Sequence, residues 1–593
     1  MLAAILLVSV FLLGAILVGE FLPFFKKTPY FFGTAFFVGL WASGTILFAL
    51  KGNLFVFLAA AFVVLWWQRR RIKFFWPGQS WGLIFLISFL FSWWFFSRTF
   101  AYRSDTVLVA SNEYLDFGAH VPLIRSFSQG DNFPAALPFY AGVPIFYHFL
   151  FDFATAMFEK GGWSLALAYN LPSSLSLAFI FVFLFYFSQE LFSKKSKLLG
   201  FLSALFFLLT PDLSWLFFFK KHGLSNFLVN LRNHNVYLDN GLTVDKFFGG
   251  FFNINVFTNQ RHLVFGFGLF LLFILALRQT NLKRKSVIFL GILFGLLPFW
   301  HSFVFLAVGL VGVVSLLAVK NKQDWFLILV IACLVALPQL WFIRQYTDNQ
   351  ISWRPGFLVG DHLTLLAWLK FWFFNFGVGL PLMFVGWLVA PLTVKRFFLP
   401  ILILFIAPNL FNFAREPFND HKFFNLFVLF GNLLSAWVLV LLWEKKLIFK
   451  FFAGGLLAVF IASGLLNLLV VKNDVWVAFA DGTPFLQWVR KNTQVTDLFL
   501  TNLDIWDPVN LAGRGKFLGR PHYLWAYGGD PSARMNTKKM ILAGEMEVTA
   551  ISQTGIDFFA FQKEGQEYNR IFFEKLPQVY QDKDWVVYRF MLE

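Results

Sequence analysis

The sequence predicts a polytopic, all-α transmembrane bundle that carries a small soluble α/β domain at its C-terminal end. Three observations predict it. Of 593 residues, 58% are hydrophobic and only 14% charged, with 88 Phe and a mean hydropathy of +0.67, more apolar surface than one water-soluble core can bury. Apolar runs close to the ~20 residues needed to cross a bilayer recur about fourteen times. Beyond Lys472 the composition turns ordinary and short soluble-type segments replace the long runs.

In chain order the predicted spans lie near 2–22, 30–50, 53–68, 78–97, 164–188, 198–218, 262–278, 286–300, 302–319, 325–343, 372–391, 397–412, 424–443 and 449–471. No basic stretch precedes the first run and no small-residue cleavage site follows it, so it reads as a retained span. The net charge of +17 is spread over short clusters between runs, which excludes a nucleic-acid stripe and reads as topology. Lys26 and Lys27, Arg69 to Lys73, Lys194 to Lys197, Arg278 to Lys285, Lys320 and Lys322, Lys395 and Arg396, and Lys445 to Lys450 all alternate onto one side. That puts the N-terminus, the long loops and the C-terminal domain on the opposite, external side of a multi-pass cell-membrane protein. A single cysteine, Cys333, lies within an apolar run, which leaves no disulfide framework and no cysteine metal cluster.

The predicted organisation is therefore a set of N-terminal transmembrane helices over 1–77, a membrane module over 78–471 with external loops 98–163 and 219–261, and an external α/β domain over 472–593. Shorter external segments run from Arg344 to Leu365 and from Arg415 to Lys422. Long loops in a compact membrane domain are unusual and tend to carry function. These external segments hold most of the histidines and many acids, among them Asp152, Asp239, Asp245, His262, Asp361 and His362.

The most informative stretch is EYLDFGAHVPLIRSFSQGDNFP, from Glu113 to Pro134, followed by PFYAGVPIFYHFLFDF, from Pro138 to Phe153. Asp116 and His120 are four residues apart, which on a helix places a carboxylate and an imidazole on one face. Gly118 and Pro122 leave open a turn in which the two converge instead. The pair suits a general base or a metal ligand, and Arg125 offers a fixed fork of donors for an anion. The alternative is an ordinary polar loop. His148 sits among aromatic residues, where a structural hydrogen bond and a catalytic role fit equally. His301, between Trp300 and Ser302, falls at the tip expected between two short spans. Asp420 and Lys422 either pair with one another or face a site.

In the C-terminal region, Thr483 to Lys491 reads as a helix and Asp507 to Arg514 as a helix start. Asp497 to Asn502, Ile556 to Phe561 and Trp585 to Phe590 read as strands. The basic, glycine-containing segment Leu511 to Gly519 lacks the spacing of a phosphate-binding loop and reads as a turn. Pro521 to Gly529, with Tyr523, Trp525 and Tyr527, is expected either to dock the domain on the membrane face or to stack on a glycan.

The order of Asp116, His120, Ile124-Arg125-Ser126-Phe127, Gly130-Asp131-Asn132-Phe133-Pro134 and Tyr147-His148-Phe149-Leu150 resembles the bacterial membrane proteins grouped with the GT-C glycosyltransferases. Gly295 to Phe303 with Pro298 and His301, and Asn419 to Phe424 with Asp420, His421 and Lys422, are similar as well. The resemblance covers about Trp81 to Val471 and makes the first three spans an addition. It implies inverting transfer of a sugar, hexosyl or pentosyl, from a polyprenyl-phosphate carrier to an acceptor hydroxyl on a glycan, lipid or protein, on the external face. Asp116 would be the base, with His120 beside it. Arg125, His148, Arg261, His301, Asp420 and Lys422 are the candidates for phosphate and substrate contacts. Some members of the superfamily use a divalent cation, Mg²⁺ or Mn²⁺, and others none; Asp116 with His120 or His148 would supply ligands here. Two other classes compete. A lipid-linked glycan flippase predicts ionisable residues or broken helices at mid-membrane depth, and a non-catalytic assembly protein predicts that Asp116 is replaceable.

Overall fold

In the computed structural model residues 1–70, 74–223, 225–237, 253–348, 351–564 and 568–590 are described. Arg71 and Lys73 of one basic cluster, Asp239 and Asp245 of the second loop, and the side chains of Asp361 and His362 lie outside the described residues.

Every one of the predicted apolar runs is helical. Nine helices among the described residues are long and apolar enough to cross a membrane, including Leu2–Phe21, Leu165–Leu191, Lys322–Tyr346 and Leu447–Asn473. A tenth run is a helix pair, Leu365–Phe376 and Gly379–Val389, bent by 89°. The remaining four runs form helices of 12 to 17 residues: Leu54–Gln68, Lys197–Leu208, Arg261–Leu277 and Arg284–Gly295. At 1.5 Å per residue, a 12-residue helix such as Lys197–Leu208 reaches roughly 18 Å. Arg261–Leu277 is buried from Arg261 to Ala276, because it runs through the middle of the bundle with other helices on all sides.

Small residues let the helices approach. A Cβ on Gly14 would sit 1.8 Å from the Ala35 carbonyl oxygen, and one on Gly39 would sit 2.0 Å from that of Val10. Leu2–Phe21 and Phe31–Ala49 therefore cross backbone to backbone, the packing that substitutes for a hydrophobic driving force inside lipid. The same pair is tied into the bundle. Ala3 N–H donates to Gly161 O at 3.0 Å, and Phe37 packs on Phe183 and Phe265.

The two ends of the bundle differ. At one, the connections flagged by basic clusters meet through Lys194–Glu444, Arg278–Glu190 and Lys285–Glu20 ion pairs. At the other, the first loop and the C-terminal region fold together. Strands Phe100–Arg103, Thr106–Ala110 and Trp476–Ala480 form one antiparallel sheet, so a loop hairpin pairs with the chain leaving the last span. The C-terminal region is α/β. Leu498–Thr501 runs parallel to Gly515–Lys516 and Phe558–Gln562, and Trp585–Arg589 is antiparallel to Phe558–Gln562 and Gln578–Gln581. The expected helix at 483–491 is Pro484–Asn492, with Thr483 Oγ1 capping the Leu486 N–H. Helix Ser532–Ala543 and strands Trp476–Ala480 and Gln578–Gln581 add to the expected elements.

The break expected at His301 is present as a kink: helix Leu297–Ser315 is interrupted there by extended backbone (φ −169°, ψ 103°), with the His301 side chain fully buried. Pro298 occupies the first turn of that helix, where its fixed φ and missing N–H are tolerated.

Candidate active site

The site is built on helix Tyr114–Ser128, which contains Pro122 and begins in a 3₁₀ turn over Ser111–Glu113. Its first turn is gripped by the C-terminal region. Trp506 Nε1–H donates to Tyr114 O at 2.8 Å, and Tyr523 O–H donates to Leu115 O. Gly118 is where the two surfaces touch: a Cβ there would sit 2.6 Å from the Tyr523 hydroxyl. At the far end of the helix Gly130 and Gly513 interlock, a Cβ on Gly130 falling 2.0 Å from Gly513 O.

Between this helix, the ends of several apolar helices and the C-terminal region lies a cavity of about 610 Å³. Asp116 and His120 line it from the loop helix, and Tyr147 and His148 from the segment before helix Leu150–Lys160. His262 and Lys422 enter from the starts of two apolar helices, and Arg344 from the end of a third. Arg520, His522, Tyr523 and Tyr527 close it from the C-terminal region. One wall is apolar, with Phe303, Leu306, Leu340 and Ile343 from helices Leu297–Ser315 and Lys322–Tyr346. Tyr147 and Tyr527 stack at 4.2 Å between ring centroids.

The Asp116 carboxylate makes no hydrogen bond or ion pair among the described residues. Burial pushes its pKa up, and the His120, Lys422 and His522 charges partly offset that. His120 Nδ1 meets Asp152 Oδ2 at 2.8 Å. Burial favours neutral imidazole there, and the Asp152 carboxylate, with a smaller contribution from Asp116, outweighs it, so the His120 pKa is raised. His148 is pushed well down, first by burial and then by the neighbouring His301 and His262 rings, and stays neutral. Lys422 Nζ donates to Asn419 Oδ1 at 3.1 Å and sits 4.8 Å from the Phe303 ring centroid. Glu416 and His522 pair at 3.2 Å on the cavity rim.

Of the residues expected at the site, the structure gathers Asp116, His120, His148 and Lys422 on one cavity, with His301 packed 4.3 Å behind His148. Three others lie elsewhere. Arg125 is buried between Asp481 at 2.7 Å and Glu159 at 3.3 Å, its fork taken up by carboxylates of the protein itself. Arg261 is sealed at 0% exposure against Asn170 Oδ1, Thr99 Oγ1 and the Phe96 carbonyl, with four aromatic rings around its guanidinium. Asp420 accepts the Phe413 N–H at 3.0 Å, so it and Lys422 find different partners. The expected turn at Leu511 to Gly519 holds Lys516 in a fully buried pair with Asp507 at 2.9 Å.

Sequence reasoning did not single out Asp152, His262, Arg344, Glu416 or Arg520 as site residues. His262 and Asp152 stood among the polar residues of the external segments, but only the fold brings them to His120. The oxygen-rich shell preferred by Mg²⁺ or Mn²⁺ does not fit this lining, where Asp116 stands among imidazoles and His120 is already engaged.

No family model matches the sequence, and no curated protein matches it. Solved structures do. The chain is similar to the arabinofuranosyltransferase AftD from Mycobacteria, with a TM-score of 0.50 and 12% identity over 86% of this chain and 40% of that one. This chain thus spans about two fifths of the length of AftD. Further likenesses are to ArnT from Cupriavidus metallidurans bound to undecaprenyl phosphate (TM-score 0.44, 10% identity, 86% of this chain and 98% of that one) and to the oligosaccharyltransferase AglB from Archaeoglobus fulgidus in complex with an inhibitory peptide and a dolichol-phosphate (0.39, 11%, 81% and 69%). The likeness to AftD is one of fold.

Proposed function

We propose that this protein is a membrane glycosyltransferase that moves a sugar from a polyprenyl-phosphate carrier to an acceptor hydroxyl, with inversion, and that Asp116 is its base. The observation that carries this reading is the cavity itself: an unpaired carboxylate, Asp116, faces the same space as Lys422, Arg344 and Arg520, and that space opens along an apolar wall from two span ends. A lipid-phosphate sugar has the matching parts. Its isoprenoid end suits Leu306, Leu340 and Ile343, its phosphate suits the cations, and its sugar ring suits Tyr523 and Tyr527.

In the step this supports, the acceptor oxygen attacks the anomeric carbon while its proton passes to Asp116. The bond from that carbon to the phosphate oxygen breaks, and its electron pair leaves on the phosphate. Cationic groups fixed near that oxygen stabilise the charge as it develops, an effect worth roughly 10²- to 10³-fold per donor. The raised pKa of Asp116 makes it a stronger proton acceptor than an exposed carboxylate. The break at Gly377, which a transporter reading would use, contributes no residue to this cavity.

The test is transfer of labelled sugar from a panel of polyprenyl-phosphate donors by the protein in liposomes. Transfer that needs the phosphate-linked donor supports the reading. Movement of intact donor across the bilayer with no transfer would replace it with the flippase alternative.

A further inference from the structure

Beneath the cavity the structure assembles a second cluster that the transferase chemistry leaves unused. His148, His262 and His301 come from three separate elements, and one ring nitrogen of each lies within 4.8 Å of the others. Their ring centroids are 4.3 Å (His148 to His301), 4.6 Å (His148 to His262) and 5.1 Å (His262 to His301) apart. All three are at least 97% buried, with exposures of 2%, 3% and 0%.

Buried polar atoms are normally hydrogen-bonded, and leaving one orphaned is destabilising. Here His148 Nε2, His301 Nε2 and both nitrogens of His262 have no hydrogen-bond partner among the described residues. Three buried rings, each with an orphaned nitrogen and with one nitrogen of each drawn together, need a reason, and packing does not supply one, since Leu or Phe would fill the volume without that cost. The backbone is also shaped for it: helix Leu297–Ser315 is interrupted by extended geometry at His301, which turns that ring toward the other two. Around the cluster a fourth imidazole, His120, lies 4.8 Å from His262 and is oriented by Asp152.

We propose that His148, His262 and His301 form a mononuclear site for a borderline first-row divalent ion of the Zn²⁺ type. Three neutral imidazoles are the donor set such an ion prefers, while Mg²⁺ and Mn²⁺ prefer oxygen. Nitrogens at about 2.0–2.1 Å from a shared ion stand about 3.3 Å apart in tetrahedral geometry, against up to 4.8 Å here, so binding would draw the three rings together. His148 and His262 line the cavity floor, which leaves a fourth position for water or an anionic oxygen. The Lys422 and His120 charges oppose a cation here; Asp152, paired with His120, and Asp116 offset them. The site stands on these histidines alone and does not depend on the transferase reading.

The test is metal analysis of the full chain in detergent, followed by Co²⁺ titration of chelator-treated protein. The wild type is expected to retain about one equivalent of zinc and to give the visible d–d bands of a tetrahedral Co²⁺ site. His262→Ala should lose both, and His148→Gln gives the same reading if His262→Ala does not fold. A wild type with no stoichiometric metal and no Co²⁺ bands, or either folded histidine variant binding as the wild type does, overturns the proposal.

Discussion

His120 Nδ1 and Asp152 Oδ2 meet at 2.8 Å, joining the helix that carries Asp116 to the helix Leu150–Lys160 beneath it. Both residues are buried, so the pair fixes the ring that lies between Asp116 and the three-histidine cluster. Because Asp152 raises the folded-state pKa of His120 above its unfolded value, this stabilisation is full below the unfolded histidine pKa and fades as pH rises through the folded one. Asp152→Asn is expected to cost about 2 kcal/mol at pH 6 and less at pH 9. Thermal unfolding in detergent at the two pH values checks it; a larger loss at pH 9 would contradict it.

Arg125 is a structural residue in this account. Its guanidinium bridges Glu159, next to the bundle, and Asp481, in the strand region that follows the last span. Arg125→Met would leave buried Glu159 with only the Ser128 hydroxyl and Asp481 with Arg490 and Tyr102, at a cost of about 3 kcal/mol. The C-terminal region should then become sensitive to limited proteolysis. Donor affinity in whatever folded protein remains should be unchanged, because the cavity is lined without Arg125.

Transfer should fall on the acid side as Asp116 is protonated, with a midpoint above the ordinary aspartate value of about 3.9, since burial raises this pKa. Lys422 is one of the charges holding it down. Lys422→Met is therefore expected to move the acid limb to higher pH and to lower the plateau rate by roughly 10²-fold or more. A pH–rate profile of both proteins measures each effect; an unmoved limb would remove Lys422 from contact with the base.

Gly14 and Gly39 hold the first two helices at backbone distance. Gly39→Leu forces the helices apart and is expected to lower stability by about 1–3 kcal/mol, read as a fall in the detergent melting temperature. Ala at Gly454, where a Cβ meets nothing within 4 Å, serves as the neutral control.

The bundle was legible because lipid-facing helices need long apolar runs, and Leu165–Leu191 or Leu447–Asn473 announces itself by length alone. Breaks were not. The run around Gly377 reads as one span, yet a Cβ on Gly377 would sit 1.8 Å from Pro211 O and its φ is +49°, so the bend is set by a neighbour 166 positions away in sequence. Asp116 and His120 were visible by their spacing on one helix. His262 and Asp152 become site residues only through helix packing, and Arg125 and Arg261 stop looking like phosphate ligands only once Asp481 and Asn170 are seen beside them. Cationic side chains in loops advertise charge, and sequence does not say which protein carboxylate or amide will claim them.

The central claim is that Asp116 accepts the acceptor's proton in a polyprenyl-phosphate sugar transfer. The most direct measurement is single-turnover transfer by wild type and Asp116→Asn in liposomes, with donor binding and melting temperature measured on the same samples. The account predicts transfer by the wild type and a loss of at least 10²-fold in the variant, with binding and stability retained. A folded Asp116→Asn variant that transfers at the wild-type rate would contradict it.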